Sequence, residues 1–285
     1  MPRPLLLDKS YLDGAPTRSV HQLCCEEVVL CSETLFYELM TTNPASQVRC
    51  FSKFPEEPGS FALLPNVGAL LQFEMVNGVP CGPLSNHFIP GTYVFNAALR
   101  TGTYEPPQGV TETLNTWKIQ VQNDVTSFLE RCQSVHQFFP ELVGIEYCDF
   151  PEAVAAAKAR ISTDANVVRD IYSSFERATL PSKAPAPEAL DPNWAWFRWV
   201  QCQLFAALRL FERYQCNIPA KPTPKVIVRA EHSMHDLEYV LLGSLAGAIA
   251  SNDDEVIEDF LLASPNGTLF TSRPVTALKK HRPID

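Results

Sequence analysis

Four carboxylates stand where short apolar runs end or where helices begin. Asp8 follows Leu5-Leu6-Leu7. Glu38 lies two turns into the helix expected after Val28-Val29-Leu30-Cys31. Asp236 sits in the first turn of a helix that feeds the run Ala248-Ile249-Ala250, and Asp253 follows that run. In an open parallel sheet, ligands bind beyond the carboxyl ends of the strands, so these distant acids can meet on one edge. Converging carboxylates repel one another, and burial makes that worse. A divalent cation removes the cost, and all-oxygen donors with water in the remaining positions suit Mg2+ or Mn2+. Such an ion activates water and stabilises both oxygens of a phosphoryl displacement, so no covalent nucleophile is needed.

The elements that would position these acids are legible at both ends of the chain. The runs Leu5–Leu7 and Val28–Cys31 are apolar throughout, as strands buried on both faces are. Phe61–Leu64 is a candidate third strand, Ala248–Ala250 a fourth and Thr268–Phe270 a fifth. Ser32 can cap the helix after the second strand, with Glu33 in its first turn, the stripe Leu35, Phe36, Leu39 and Met40, and a stop at Thr41-Thr42-Asn43-Pro44. Leu237, Val240, Leu241, Leu245 and Ala248 share one helix face, and Ser233 three residues before Asp236 resembles a capping box. Val256, Ile257, Phe260 and Leu261 make the next stripe. Between the ends, residues 70 to 104 are rich in Pro and Gly and read mostly as loop. Thr113–Phe139, Glu152–Leu180 and Trp194–Tyr214 read as three helices, and Pro181-Ser182-Lys183-Ala184-Pro185-Ala186-Pro187 reads as a linker. The expectation is an α/β fold: residues 1–65 and 225–275 form a parallel-sheet core, 66–224 a mainly helical insertion, and 276–285 a basic tail.

The ordered acids and their neighbours resemble the motifs of PIN domains. Leu5-Leu6-Leu7-Asp8-Lys9-Ser10 is similar to the first-strand motif of that family. Glu38 within Glu33-Thr34-Leu35-Phe36-Tyr37-Glu38-Leu39-Met40 is similar to its helix-borne Glu. Asp236 with Tyr239 three residues on is similar to its third acid and following aromatic, and Ser251-Asn252-Asp253 to its end motif. The resemblance covers under half the chain, and the long insertion departs from compact members. It implies a PIN-like sheet of about five parallel strands flanked by helices. It also implies a metal-dependent ribonuclease in which Asp8, Glu38, Asp236 and Asp253 hold Mg2+ or Mn2+, with a DNA junction or flap nuclease as the nearest alternative. A catalytically silent scaffold acting through protein contacts is the other class.

Simpler roles stand beside these. Each acid can instead cap or begin a helix, and at 253–254 either Asp253 or Asp254 can be the fourth acid. Ser10 and Ser251 can support the cluster, or Ser10 can merely cap. Lys9 can touch phosphate or stay at the surface. Trp194-Ala195-Trp196-Phe197-Arg198-Trp199 suits base stacking with Arg198 on phosphate, but its spacing also makes a helix core stripe. Lys279 and Lys280 form a basic cluster that can guide phosphate or simply be solvated. His235-Asp236 is the dipeptide of HD-type hydrolases, yet the apolar runs do not fit an all-helical fold. No glycine-rich phosphate loop is present, so dinucleotide and P-loop NTPase functions have no support.

Composition narrows the class. With 285 residues, 46% hydrophobic and 19% charged, the chain suits a globular fold rather than a disordered one. No apolar run approaches the about 18–20 residues of a membrane span. A net charge of −9 argues against a generic polyanion binder, leaving room for a local basic cleft. Nine cysteines without a recognisable secretion signal suggest reduced thiols in a cytoplasmic protein. A nucleic acid substrate is the expected partner, RNA before DNA, and a second copy or an inhibitor protein is a possible one.

Overall fold

A computed structural model describes residues 2–146, 148–175, 183–214, 218–219 and 221–273. Five short strands form one all-parallel sheet: β1 (Pro4–Leu7), β2 (Val28–Ser32), β3 (Phe61–Leu64), β4 (Ala248–Ala250) and β5 (Thr268–Phe270). The order is β3-β2-β1-β4-β5. Leu5 pairs with Val29, and Leu6 pairs with both Leu30 and Ile249. Leu5, Leu6, Leu7, Ala248, Ile249 and Ala250 are fully buried, which is why these strands carry no polar alternation. From β1 the chain builds outward in one direction to β2 and β3, and β4 and β5 lie on the other side. The order therefore reverses between β1 and β4, and the crevice at their carboxyl ends is the switch point where open sheets bind ligands.

Helices connect the strands. α1 (Lys9–Gly14) and α2 (Thr17–Glu26) join β1 to β2; α3 (Glu33–Thr41) and α4 (Pro44–Phe51) join β2 to β3. Ser32 caps α3 by accepting from the Leu35 N–H at 3.2 Å, and Asn43 caps α4. The long crossover contains α5 (Val67–Asn77), α6 (Ala97–Thr101), α7 (Gln108–Ser134), α8 (Phe150–Thr163), α9 (Ala165–Ser173), α10 (Ala195–Arg213) and α11 (Pro224–Ala246). α12 (Asp254–Ala263) returns the chain to β5.

Three expectations need correction. The stretch 70–104 holds most of α5 and all of α6, because Asn66 and Asn96 cap helices that the nearby Pro and Gly obscure. The helix expected over 152–180 is two, since Asp164 ends α8 in extended backbone and caps α9; residues 176–180 lie outside the described ones. α11 starts at Pro224, not at Ser233. Pro at the first position needs no N–H partner, so Thr223-Pro224 begins the helix nine residues earlier.

One hydrophobic core runs through the sheet and the crossover helices, joining Leu6 and Ile249 to Phe205, Phe211 and Val154. The tryptophan-rich segment belongs to it. Trp194 is buried, and Trp196 and Trp199 pack edge to face, centroids 5.4 Å apart. α11 lies on β1 and β4, with Gly243 against Ile249: a β-carbon there would sit 3.1 Å from that of Ile249. Gly243→Leu should lose about 1–3 kcal/mol in urea unfolding through overpacking; wild-type stability would refute the close helix–sheet approach. Among the described residues no helix is long and apolar enough to cross a membrane, and the described cysteines are all free.

Candidate active site at the carboxyl edge of the sheet

Asp8 stands at the switch point. Its N–H donates to the Ala250 carbonyl at 3.0 Å, carrying the β1–β4 pairing one residue past Leu7. Its Oδ1 accepts from the Ser10 N–H at 3.0 Å, so Asp8 does cap α1. Its Oδ2 accepts from the Ser10 hydroxyl and from the Ser251 hydroxyl, the latter at 2.5 Å. The two hydroxyls in turn accept from the backbone: Asn252 N–H to Ser10 Oγ at 2.9 Å, and Asp253 N–H to Ser251 Oγ at 3.0 Å. Ser10 and Ser251 thereby tie the β1–α1 turn to the β4–α12 turn through the Asp8 carboxylate. Asp8 is only 4% exposed. Burial pushes its carboxyl up to about 6, against the opposing pull of the serine hydrogen bonds, and the charge of Glu38 adds to the rise.

The other acids reach the same edge from three helices. Glu38, half-buried on α3, accepts from the Tyr239 hydroxyl at 2.6 Å. Tyr239 is buried on α11, three residues beyond Asp236, so one helical turn sets both the third acid and the donor that orients the second. Burial, and then the charges of Glu38 and Asp8, hold the Tyr239 phenol well above its usual range, which keeps it a donor. The Asp236 carboxyl is held well above its usual range by burial and by Asp253, with Arg209 opposing and Asp8 adding. Asp253 caps α12, accepting from the Glu255 and Val256 N–H groups at 2.8 and 3.2 Å. Asp254 is exposed and ion-paired to Arg273 at 2.7 Å, so of the two adjacent acids it is Asp253 that joins the cluster.

The four acids act on one another as a chain, Glu38 to Asp8 to Asp236 to Asp253. Among the described residues no three His, Cys, Asp or Glu side chains close into a ligand set around one point. Mutual repulsion spreads carboxylates in this way. The donor chemistry still fits Mg2+ or Mn2+, because Mg2+ keeps several waters and needs only one or two direct carboxylates.

Asp236 and Asp253 open into a groove of about 530 Å³, whose wall also carries Arg213, Lys225, Arg229 and His232. Lys225, Arg229, His232 and Asp236 fall at i, i+4, i+7 and i+11 of α11 and share one face. Lys225 is exposed and Arg229 half-buried, and neither pairs with a carboxylate among the described residues. This basic stripe is invisible when the helix is taken to begin at Ser233, since Lys225, Arg229 and His232 then fall outside it. Pro224 at the first helical position was the available signal.

Two cations expected to meet nucleic acid do something else. The Lys9 ammonium is ion-paired with Asp13 at 2.7 Å on its own helix. Arg198 donates to Pro192 O and Gln201 Oε1 at 2.9 Å each, and to the carbonyl of Ala263. Ala263 ends α12, at the opposite end from Asp253, so Arg198 fastens helices together. Lys279 and Lys280 lie outside the described residues.

No protein-family model, no curated protein and no solved structure matches this chain.

Proposed function

We propose that this chain is a divalent-metal-dependent endonuclease of PIN-like architecture that hydrolyses phosphodiester bonds, of RNA before DNA. One observation carries the reading. Carboxylates from four separate elements line the carboxyl edge of the sheet around the β1–β4 switch point as an interacting chain, beside a groove where Lys225 and Arg229, unpaired among the described residues, sit on the same helix face as Asp236. When bound, Mg2+ or Mn2+ supplies a water of lowered pKa and charge compensation for the leaving oxygen. Asp8 and Asp236 are the residues to hold it, with Glu38 and Asp253 flanking them. Ser10 and Ser251 aim the Asp8 carboxylate, and Tyr239 aims that of Glu38. Lys225 and Arg229 bind backbone phosphates and lead the strand toward Asp236. This local stripe offsets an overall charge of −9, which by itself repels nucleic acid.

The test is cleavage of labelled single-stranded RNA and DNA in Mn2+, Mg2+ or EDTA. RNA should be cut with metal and spared in EDTA. Cutting of DNA alone overturns the substrate assignment, and absence of cutting in every metal overturns the nuclease. Lys225→Ala/Arg229→Ala should raise KM several-fold with little change in kcat, because these residues hold the strand equally in ground and transition states. It should also flatten the slope of log affinity against log salt by about 1.4, or about 0.7 for each phosphate contact on a single strand.

A further inference from the structure

A second cavity, of about 430 Å³, lies between α3, α5, α7 and α11. That is within the roughly 300–1,000 Å³ of small-molecule sites. It shares two helices with the acid cluster: Tyr37 precedes Glu38 on α3, and His235 precedes Asp236 on α11. Its lining joins aromatic surface to polar groups with unused capacity. Tyr37 and Trp117 lie edge to face, centroids 6.3 Å apart. Glu238 Oε2 accepts from the Thr34 hydroxyl, while Glu238 Oε1 has no donor among the described residues. His235 is 8% exposed, and its contact to Glu231 is 3.9 Å, too long for a hydrogen bond. Asp124 adds further negative charge to the wall, so a phosphate would be repelled and a neutral group with donors favoured.

The geometry points to a guanine-binding pocket that sets which nucleotide lies beside the scissile phosphate. Guanine alone among the four RNA bases presents two adjacent donors on its pairing edge, N1–H and the exocyclic amine, and a carboxylate oxygen accepts from such an edge. Its O6 acceptor suits a donor from His235, and its flat face suits Trp117 or Tyr37. The role in cleavage rests on the nuclease reading, but base binding does not.

Guanosine is therefore the probe, titrated against the intact chain by calorimetry and tryptophan fluorescence, with adenosine, cytidine and uridine alongside. Guanosine should bind about tenfold or more tighter than the others, since a hydrogen bond to a charged group is worth that much. Glu238→Gln keeps an acceptor for Thr34 but turns one acceptor oxygen into a donor, and should lose about tenfold. Trp117→Leu should remove most of the fluorescence change, with melting curves confirming that both variants fold. Equal binding of all four nucleosides, or unaltered guanosine binding by Glu238→Gln, overturns the pocket. A chain that cuts RNA but ignores guanosine loses this assignment alone. A chain that binds guanosine selectively but never cuts keeps the pocket and loses the nuclease.

Discussion

Asp8→Asn should abolish cleavage and at the same time stabilise the fold. Asp8 is buried, and its carboxyl is pushed from 3.8 up to about 6. An acid whose folded pKa lies above its unfolded one is ionised at a cost. The cost is absent below about 4, grows between 4 and 6, and stays constant above 6. Two pKa units correspond to about 3 kcal/mol. The wild type should therefore lose stability relative to the variant as pH rises through that window. Groups that Asp8 does not influence cancel in the wild-type-minus-variant difference, and Asp236, whose carboxyl the Asp8 charge also raises, adds to it in the same direction. Asn keeps an acceptor for the Ser10 N–H, and the Ser10 and Ser251 hydroxyls can turn to accept from its amide. Urea unfolding from pH 4 to 8 without metal reads the effect. Mn2+ should then raise the melting temperature of the wild type by mass action and leave the variant unmoved. Cleavage should fall by about 100-fold or more, the scale of losing one stabiliser of developing charge. If Asp8→Asn is less stable than wild type at pH 7, the carboxylate serves as a cap alone. Retained cleavage would remove Asp8 from the chemistry.

Arg209→Met should be the most damaging substitution outside the site. Arg209, 7% exposed on α10, donates to Asp259, to Glu255 Oε2 at 2.9 Å and to the Glu255 carbonyl at 3.1 Å. Asp259 is buried and also accepts from Lys158 of α8 at 3.1 Å. These ion pairs pin α8 and α10 to α12, whose first turn is capped by Asp253. Removing Arg209 leaves buried Asp259 with Lys158 alone and Glu255 with Arg213, at about 3 kcal/mol, the low end for breaking a buried pair. At about 2–3 °C per kcal/mol for a chain of this size, a fall of roughly 6–9 °C or more is expected. Arg209 also opposes the rise of the Asp236 carboxyl, so cleavage should weaken in the folded variant. A double-mutant cycle with Asp259→Asn should return a coupling of 1 kcal/mol or more. Additive effects would show that the pair holds nothing together.

Much of this architecture is a local property of the chain. Leu5–Leu7, Val28–Cys31 and Ala248–Ala250 are apolar on every residue, and only a strand covered on both faces makes use of that. The parallel sheet follows from composition over three or four residues. The caps at Ser32 and Asn43 are equally local, because a side chain bonding an N–H three residues on needs no tertiary partner. The order of the four acids, and the places of Asp8 and Asp253 at element ends, could be read in the same way; Asp236 could not, because it lies three turns into α11 rather than in its first turn.

What the tertiary structure decided is where long side chains find their partners and how a long helix is rotated. Asp253 and Asp254 are indistinguishable as helix starters; a pairing with Arg273, contributed by the segment after β5, turns one of them away. Arg198 looks like a phosphate ligand until the end of α12 supplies the carbonyl it fastens. Tyr239 and Glu38 are 201 residues apart, and nothing local predicts their hydrogen bond. The face of α11 that carries Lys225 and Arg229 toward Asp236 depends on Gly243 letting the helix settle against Ile249. Strands and caps arise from neighbours in sequence, whereas the site arises from contacts between elements that only packing brings together.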